Sequence, residues 1–198
     1  MFITVEGSNG VGKSSFIKAL ADCVKYEFKI YCTKEPTDTD FGRSIRVNEE
    51  KLRGIEYAKM IAKDRQNHLS NEIVPMLEEY DIVISDRYIE SSMVLQVFDG
   101  VSRDEVWDLN KNFLIPDISI IILASEEAVQ KRLLERSVMT YFEKCMTRKE
   151  EIDLYKKAVT FLTDKGYNVV ELTNDTIDDL QNNIARIGGM IRQALIHN

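Results

Sequence analysis

The chain has 198 residues, 44% of them hydrophobic and 30% charged, with a net charge of −7. That is enough chain for one ordinary domain with a sizeable core, in the balance of a soluble globular protein. The acidic balance, with no strongly basic block, argues against nucleic acid as a partner, and no apolar run is long enough to span a membrane. Cys23, Cys32 and Cys145 stand far apart without metal-ligand spacing, and His68 and His197 are too few and too separated to suggest a metal site. Cys23 on the apolar face of a helix and Cys32 in a strand read as buried thiols. The chain enters a strand at once, so no signal peptide is expected, and the cytoplasm is the expected location.

Phe2-Ile3-Thr4-Val5-Glu6 is apolar and β-branched and reads as a buried strand. Gly7-Ser8-Asn9-Gly10-Val11-Gly12-Lys13-Ser14 then fits the phosphate-binding loop G-x-x-x-x-G-K-[ST]. Phe16, Ile17, Leu20, Cys23 and Val24 recur at helical spacing, so a helix follows. Strand, glycine-rich turn and helix form the context that the loop needs. Glycines let backbone N–H groups converge on an anion, and the helix N-terminus adds positive potential. Lys13 supplies a full charge to the terminal phosphates, and the Ser14 hydroxyl can reach Mg²⁺. The expected ligand is a nucleoside triphosphate, held by Gly7, Ser8, Asn9, Gly10, Val11, Gly12, Lys13, Ser14 and Ser15.

Residues 28–33 alternate as a second strand, and residues 55–79 read as a long helix, bent or interrupted near Pro75. Asp81-Ile82-Val83-Ile84-Ser85 is a third strand, with Asp86-Arg87-Tyr88 at its end. A short helix over 101–113 precedes a fourth strand at 118–123. Helices around 126–136 and 149–165, a fifth strand at 167–172 and a closing helix striped by Ile177, Leu180, Ile184 and Ile187 complete the chain. This alternation predicts an α/β fold, a parallel five-stranded sheet with helices on both faces in three layers. No repeat, low-complexity tract or linker appears, so residues 1–198 are read as a single domain.

Ligands of such sheets bind beyond the carboxyl ends of the strands. Glu6, Glu35, Asp86 and Arg87 all fall there, on the side of the phosphate loop. A solvated loop charge is the plainer reading of Glu35 taken alone. Asp86 and Arg87 directly after a buried strand fit a site better, one attracting Mg²⁺ and the other a phosphate. Arg65 breaks an apolar stripe through Ala58, Ile61, Ala62, Leu69, Ile73 and Met76. Such an arginine must meet a buried carboxylate or reach a polar cavity, and both readings stay open. Arg132 and Arg136 are four apart in an expected helix, as are Lys144 and Arg148. Like charges at that spacing disfavour an isolated helix slightly and become favourable around a polyphosphate; solvated helix faces are the alternative.

Taken together the chain resembles the thymidylate kinases, nucleoside monophosphate kinases of the P-loop group. The resemblance covers nearly the whole length. It rests on Glu6-Gly7, Glu35-Pro36, Asp64-Arg65-x-x-His68, Asp86-Arg87-Tyr88 with Ser91-Ser92 and Gln96, Pro116-Asp117, Phe142-Glu143 and Tyr155. It implies that Arg87 holds the acceptor monophosphate, with Glu35 and Asp86 nearby. Arg65 would face the base, and Ser92 and Gln96 would belong to the acceptor site. Arg136, with Arg148 as a second candidate, would belong to a lid at about 132–148 that closes over the donor phosphates. Lys13, Asp86, Arg87 and Arg136 are thereby the catalytic candidates, and Ser14 and Asp86 the Mg²⁺ ligands. Family members are commonly homodimers.

The chain also departs from the family pattern. Asn9 stands for the usual Asp, Thr37-Asp38 for Gly-Gly, Ile61 for a base-stacking Phe and Leu95 for a Tyr beside the sugar. The expected activity is Mg²⁺-dependent transfer of the ATP γ-phosphoryl group to dTMP. Rival readings are a deoxynucleoside kinase or another deoxynucleoside monophosphate kinase of the same fold, and a non-catalytic nucleotide sensor. Arg87 speaks against the deoxynucleoside kinase; Arg65 and Gln96 speak against the sensor.

Overall fold

β1 (Phe2–Glu6) is buried along its whole length, as its run of apolar and β-branched residues requires. A computed structural model of the chain describes residues 1–133 and 140–196. β1 lies at the centre of a five-stranded sheet of order β2-β3-β1-β4-β5, built with β2 (Ile30–Lys34), β3 (Ile82–Asp86), β4 (Ile118–Leu123) and β5 (Val169–Thr173). Every pairing is parallel, with Val5 beside Asp86 and Glu6 beside Ile121. The expected α/β architecture is therefore present.

The two-residue period of a strand sends alternate side chains to opposite faces. Ile3 and Val5 join Phe16, Leu20, Ile120, Leu172 and Ile187 on one face. Helices α1 (Lys13–Val24) and α10 (Ile177–Ile196) cover it. On the other face Phe2 packs with Val83, Tyr88, Met93, Ile121, Tyr155 and Leu162. That face is covered by α5 (Ile89–Phe98) and α9 (Arg148–Asp164). Thr4 and Glu6 share this second face, so their side chains enter the α5/α9 layer as fully buried polar groups.

The long helix proves to be interrupted before Pro75. α3 (Gly54–His68) passes through a wide π turn, Leu69–Ile73, into α4 (Val74–Glu79). Proline removes a backbone donor and crowds the preceding turn, which a π turn accommodates. Two helices were absent from the sequence reading, α2 (Asp40–Val47) and α5; Lys144 and Arg148, expected on one helix, fall on two, α8 (Tyr141–Cys145) and α9. α6 (Arg103–Asn110) lies within the stretch expected to be helical, and α7 (Glu126–Leu133) begins where expected. The expectation of buried thiols fails at Cys32, which is exposed because β2 is an edge strand; Cys23 is half-buried.

Candidate active site

The phosphate loop joins β1 to α1. Gly7 has φ 144°, and a Cβ there would lie 2.3 Å from the Ile122 carbonyl oxygen, so the loop can pass β4 only with glycine. Lys13 Nζ donates to the carbonyls of Gly7 at 2.6 Å and Ser8 at 3.1 Å, folding back over the loop. Burial and the nearby Arg87 charge push the lysine down to about 8, against the opposing pull of Glu6 and Asp86. Ser14 and Ser15 are exposed at the start of α1, while Val11 is packed in the core.

Glu6 ties the strand end together. Its carboxylate accepts from the Gly7 N–H at 2.8 Å and the Tyr155 hydroxyl at 2.9 Å, and Arg87 and Ser91 also donate to it. Arg87 takes φ 76°, a left-handed setting rare for arginine, while its own N–H reaches Val5 O at 3.0 Å. Such settings cost about 1–3 kcal/mol and persist where the surroundings fix them. From there Nη2 of Arg87 donates to Asn9 Oδ1 at 3.0 Å, so the guanidinium borders the phosphate loop. Burial opposes its charge, but Glu6, Tyr155 and Asp86 more than offset this. Burial also raises Asp86, with Lys13 and Arg87 pulling the other way. Its Oδ1 is buried without a hydrogen-bond partner among the described residues.

That orphaned oxygen is what a cation site needs. Asp86 Oδ1 and the exposed Ser14 hydroxyl are hard oxygen donors, the type that suits Mg²⁺, which keeps several waters and few protein ligands. The residues present fit the ion.

Arg65, 1% exposed, meets both conditions left open by the sequence. Its Nε donates to Glu35 Oε2 at 2.8 Å, Nη1 to Ser92 Oγ at 3.1 Å and to Asn110 Oδ1, and Nη2 to the Tyr88 carbonyl at 2.8 Å. It also lines a cavity of about 520 Å³. Ser8, Asn9, Asp86 and Arg87 border the same space, as do Glu35, Ser92 and Gln96. The Oε1 of Gln96 is buried and unpartnered among the described residues. Tyr57, Ile61, Leu95, Phe142 and Met146 supply the apolar wall.

Among the described residues, the cations Arg132, Lys144 and Arg148 of the expected lid have separate partners. Arg132 donates to the carbonyls of Gly10, Asn174 and Asp175 at 2.9 to 3.2 Å. Lys144 pairs with Glu50 at 2.7 Å, and Arg148 with Glu151 at 2.8 Å. Arg148 also donates to Ser8 Oγ in the phosphate loop and to Ala124 O. The pair Lys144 and Arg148 is therefore not left repelling; each meets a carboxylate of its own. Arg136 lies outside the described residues. Sequence reasoning missed Asn110, whose only signal was a polar residue ending a helix, and did not join Arg148 to Ser8.

The family model described as thymidylate kinase matches residues 5–184. The chain belongs to the thymidylate kinase family. A probable thymidylate kinase of Caldivirga maquilingensis is 36% identical over 149 residues, 73% of each chain. One from Thermococcus kodakarensis is 34% identical, covering 86% of this chain and 90% of the relative. A thymidylate kinase of Caldicellulosiruptor saccharolyticus is 32% identical, covering 90% and 96%. Within this thymidylate kinase family domain no described helix is long and apolar enough to cross a membrane.

Proposed function

We propose that the chain transfers the γ-phosphoryl group of ATP to dTMP, giving dTDP and ADP. The observation that carries the reading is the single cavity bordered by phosphate-loop residues Ser8 and Asn9 at one end and by Arg65 and Gln96 at the other, with Arg87 between. A nucleoside monophosphate lying in that cavity would turn its phosphate toward the loop and its base toward Arg65 and Gln96. Arg87 then grips the acceptor phosphate with a planar fork, aided by Ser91 at 3.2 Å. The acceptor phosphate is already ionised, so no general base is needed; positioning and charge neutralisation suffice. A deoxynucleoside kinase would have less use for such an arginine.

Lys13 follows the transferred charge once its present acceptors, the Gly7 and Ser8 carbonyls, are exchanged for phosphate oxygens. Mg²⁺, held by Ser14 and Asp86, would neutralise the triphosphate when bound. Arg148 stands beside Ser8 as a cation for the transferred group, a role shared in this proposal with Arg136 and the segment at about 132–148. At the base end, four of the five Arg65 N–H groups meet protein acceptors, leaving one for a base carbonyl. The unpartnered Gln96 Oε1 suits a pyrimidine N–H. Ile61 and Leu95 give apolar cover without a stacking ring or a hydroxyl, which discriminates a methyl group by only about 1–3 kcal/mol. A homodimer, a cytoplasmic location and a single domain over 1–198 belong to the same proposal.

A coupled ADP-release assay across nucleosides and nucleoside monophosphates tests this. dTMP is expected to be the best acceptor, dUMP to be used appreciably, and purine monophosphates poorly. Preference for thymidine over dTMP would transfer the chain to the deoxynucleoside kinases; preference for dGMP would overturn the base assignment.

A further inference from the structure

Glu35 sits in the cavity wall between two side chains of α3. Its Oε2 takes Arg65 Nε at 2.8 Å, and its Oε1 lies 3.2 Å from His68 Nδ1. On its other edge the buried His68 ring meets Thr33 Oγ1 at 2.7 Å, and the same hydroxyl lies 2.5 Å from Glu72 Oε1. Glu72 comes from the π turn and is partly exposed, and it also accepts from the Tyr31 hydroxyl at 3.1 Å. A hydrogen-bonded chain therefore runs from the cavity to the surface through Glu35, His68, Thr33 and Glu72.

Three contacts in that chain need three protons. A carboxylate only accepts, a threonine hydroxyl carries one proton, and a neutral imidazole has one N–H. Neutral His68 and Thr33 together supply two. With Nδ1 bare, lone pairs would face one another at Glu35 in a buried place. With Nε2 bare, one hydroxyl proton would have to serve both Nε2 and Glu72. Either arrangement leaves a polar contact unmet, which burial makes costly. An imidazolium supplies the third proton. Its charge falls between Glu35 and Glu72, the second 3.7 Å from Nε2, while the nearby cation Arg65 is itself paired with Glu35.

We propose that His68 donates from both ring nitrogens and, by holding Oε1 of Glu35, positions the Glu35–Arg65 pair at the base end of the acceptor pocket. What that pocket holds rests on the nucleoside monophosphate reading above. His68 touches no reacting atom; it is a positioning residue. It keeps Glu35 from turning, and Glu35 in turn fixes the Arg65 guanidinium.

The test combines a spectroscopic signature with a kinetic split. In ¹⁵N-labelled protein at pH 7, the His68 ring, distinguished from His197 by its loss in His68→Gln, is expected to show two protonated nitrogens. A neutral ring overturns the proposal. His68→Gln is expected to raise KM for dTMP about tenfold, the loss of one charge-assisted bond, with KM for ATP within about twofold. An unchanged KM for dTMP, or equal rises for both substrates, overturns the positioning role. Should that variant not fold, Glu72→Gln carries the test. Its amide can donate to Thr33, freeing the hydroxyl proton for Nε2, so the ring should become neutral; a ring still doubly protonated refutes the proton count. Absence of any dTMP turnover in the unaltered protein would strike the function reading alone, since the ring spectrum is read without substrate.

Discussion

Lys13 shows how a single residue carries a testable sign. Buried beside Arg87, it is pushed down to about 8, so the free protein holds the charge below that pH and loses it above. kcat/KM for ATP, which reports the free enzyme, is therefore expected to fall on an alkaline limb near pH 8, with proton uptake when nucleotide binds at that pH. Lys13→Ala should lose about 10²–10³ in kcat while remaining folded. A rate profile measured from pH 6 to 10, with calorimetry in two buffers, checks both. Much of the site was legible at this scale. A phosphate loop declares itself by its glycines, and Arg65 declares itself by interrupting an apolar stripe. Asn110 was not legible, because it meets Arg65 across 45 residues of sequence and only packing brings them together.

At the scale of elements, two capping boxes separate stability from chemistry. Ser102 caps α6 and Thr147 caps α9, each with a glutamate three residues on closing the box. Ser102→Ala and Thr147→Ala should each cost about 1 kcal/mol in denaturant unfolding. Only Thr147→Ala should also lower kcat, since the first residue of α9 is Arg148, which reaches Ser8. Equal kcat in both variants would remove Arg148 from the machinery. The central strands could be read from sequence as continuous apolar, β-branched runs, and the amphipathic helices because one face of each is apolar. α5 could not: Ile89 through Val94 are all buried, so it shows no polar face for a periodicity to reveal. α2 and α8 span only two turns and little more than one.

For the whole molecule, Glu90 is the group that ties stability to pH. It lies fully buried between the sheet and α5, accepting from Thr4 at 2.5 Å and from Ser119, with Oε2 unpartnered among the described residues. Burial raises its folded-state value, with the two hydroxyls and its own N–H pulling the other way and Glu6 adding to the rise. The stability it contributes is thus complete below the unfolded carboxylate value of about 4.3 and is lost as pH rises toward the folded one. Glu90→Gln, which cannot ionise, should melt above the unaltered protein at pH 8 by about 1–3 kcal/mol, the two converging near pH 4. Thermal unfolding across that range decides it. The βαβ alternation was legible in the sequence, but contacts such as Lys144 with Glu50, 94 residues apart, were not, since nothing local encodes them. The strand order has one further result. With β1 central, Glu35, Arg65, Ser92, Gln96 and Asn110 all come from one contiguous stretch, 35–110, on the β2–β3 flank, whereas Ile122, Arg132 and Asn174, which crowd or bind the phosphate loop, come from β4 onward. The polar contacts to the acceptor can therefore drift within that stretch alone, whereas a graft of 35–110 between relatives would carry Asp86 and Arg87 of the phosphate end with it and leave Phe142 and Met146 of the cavity wall behind.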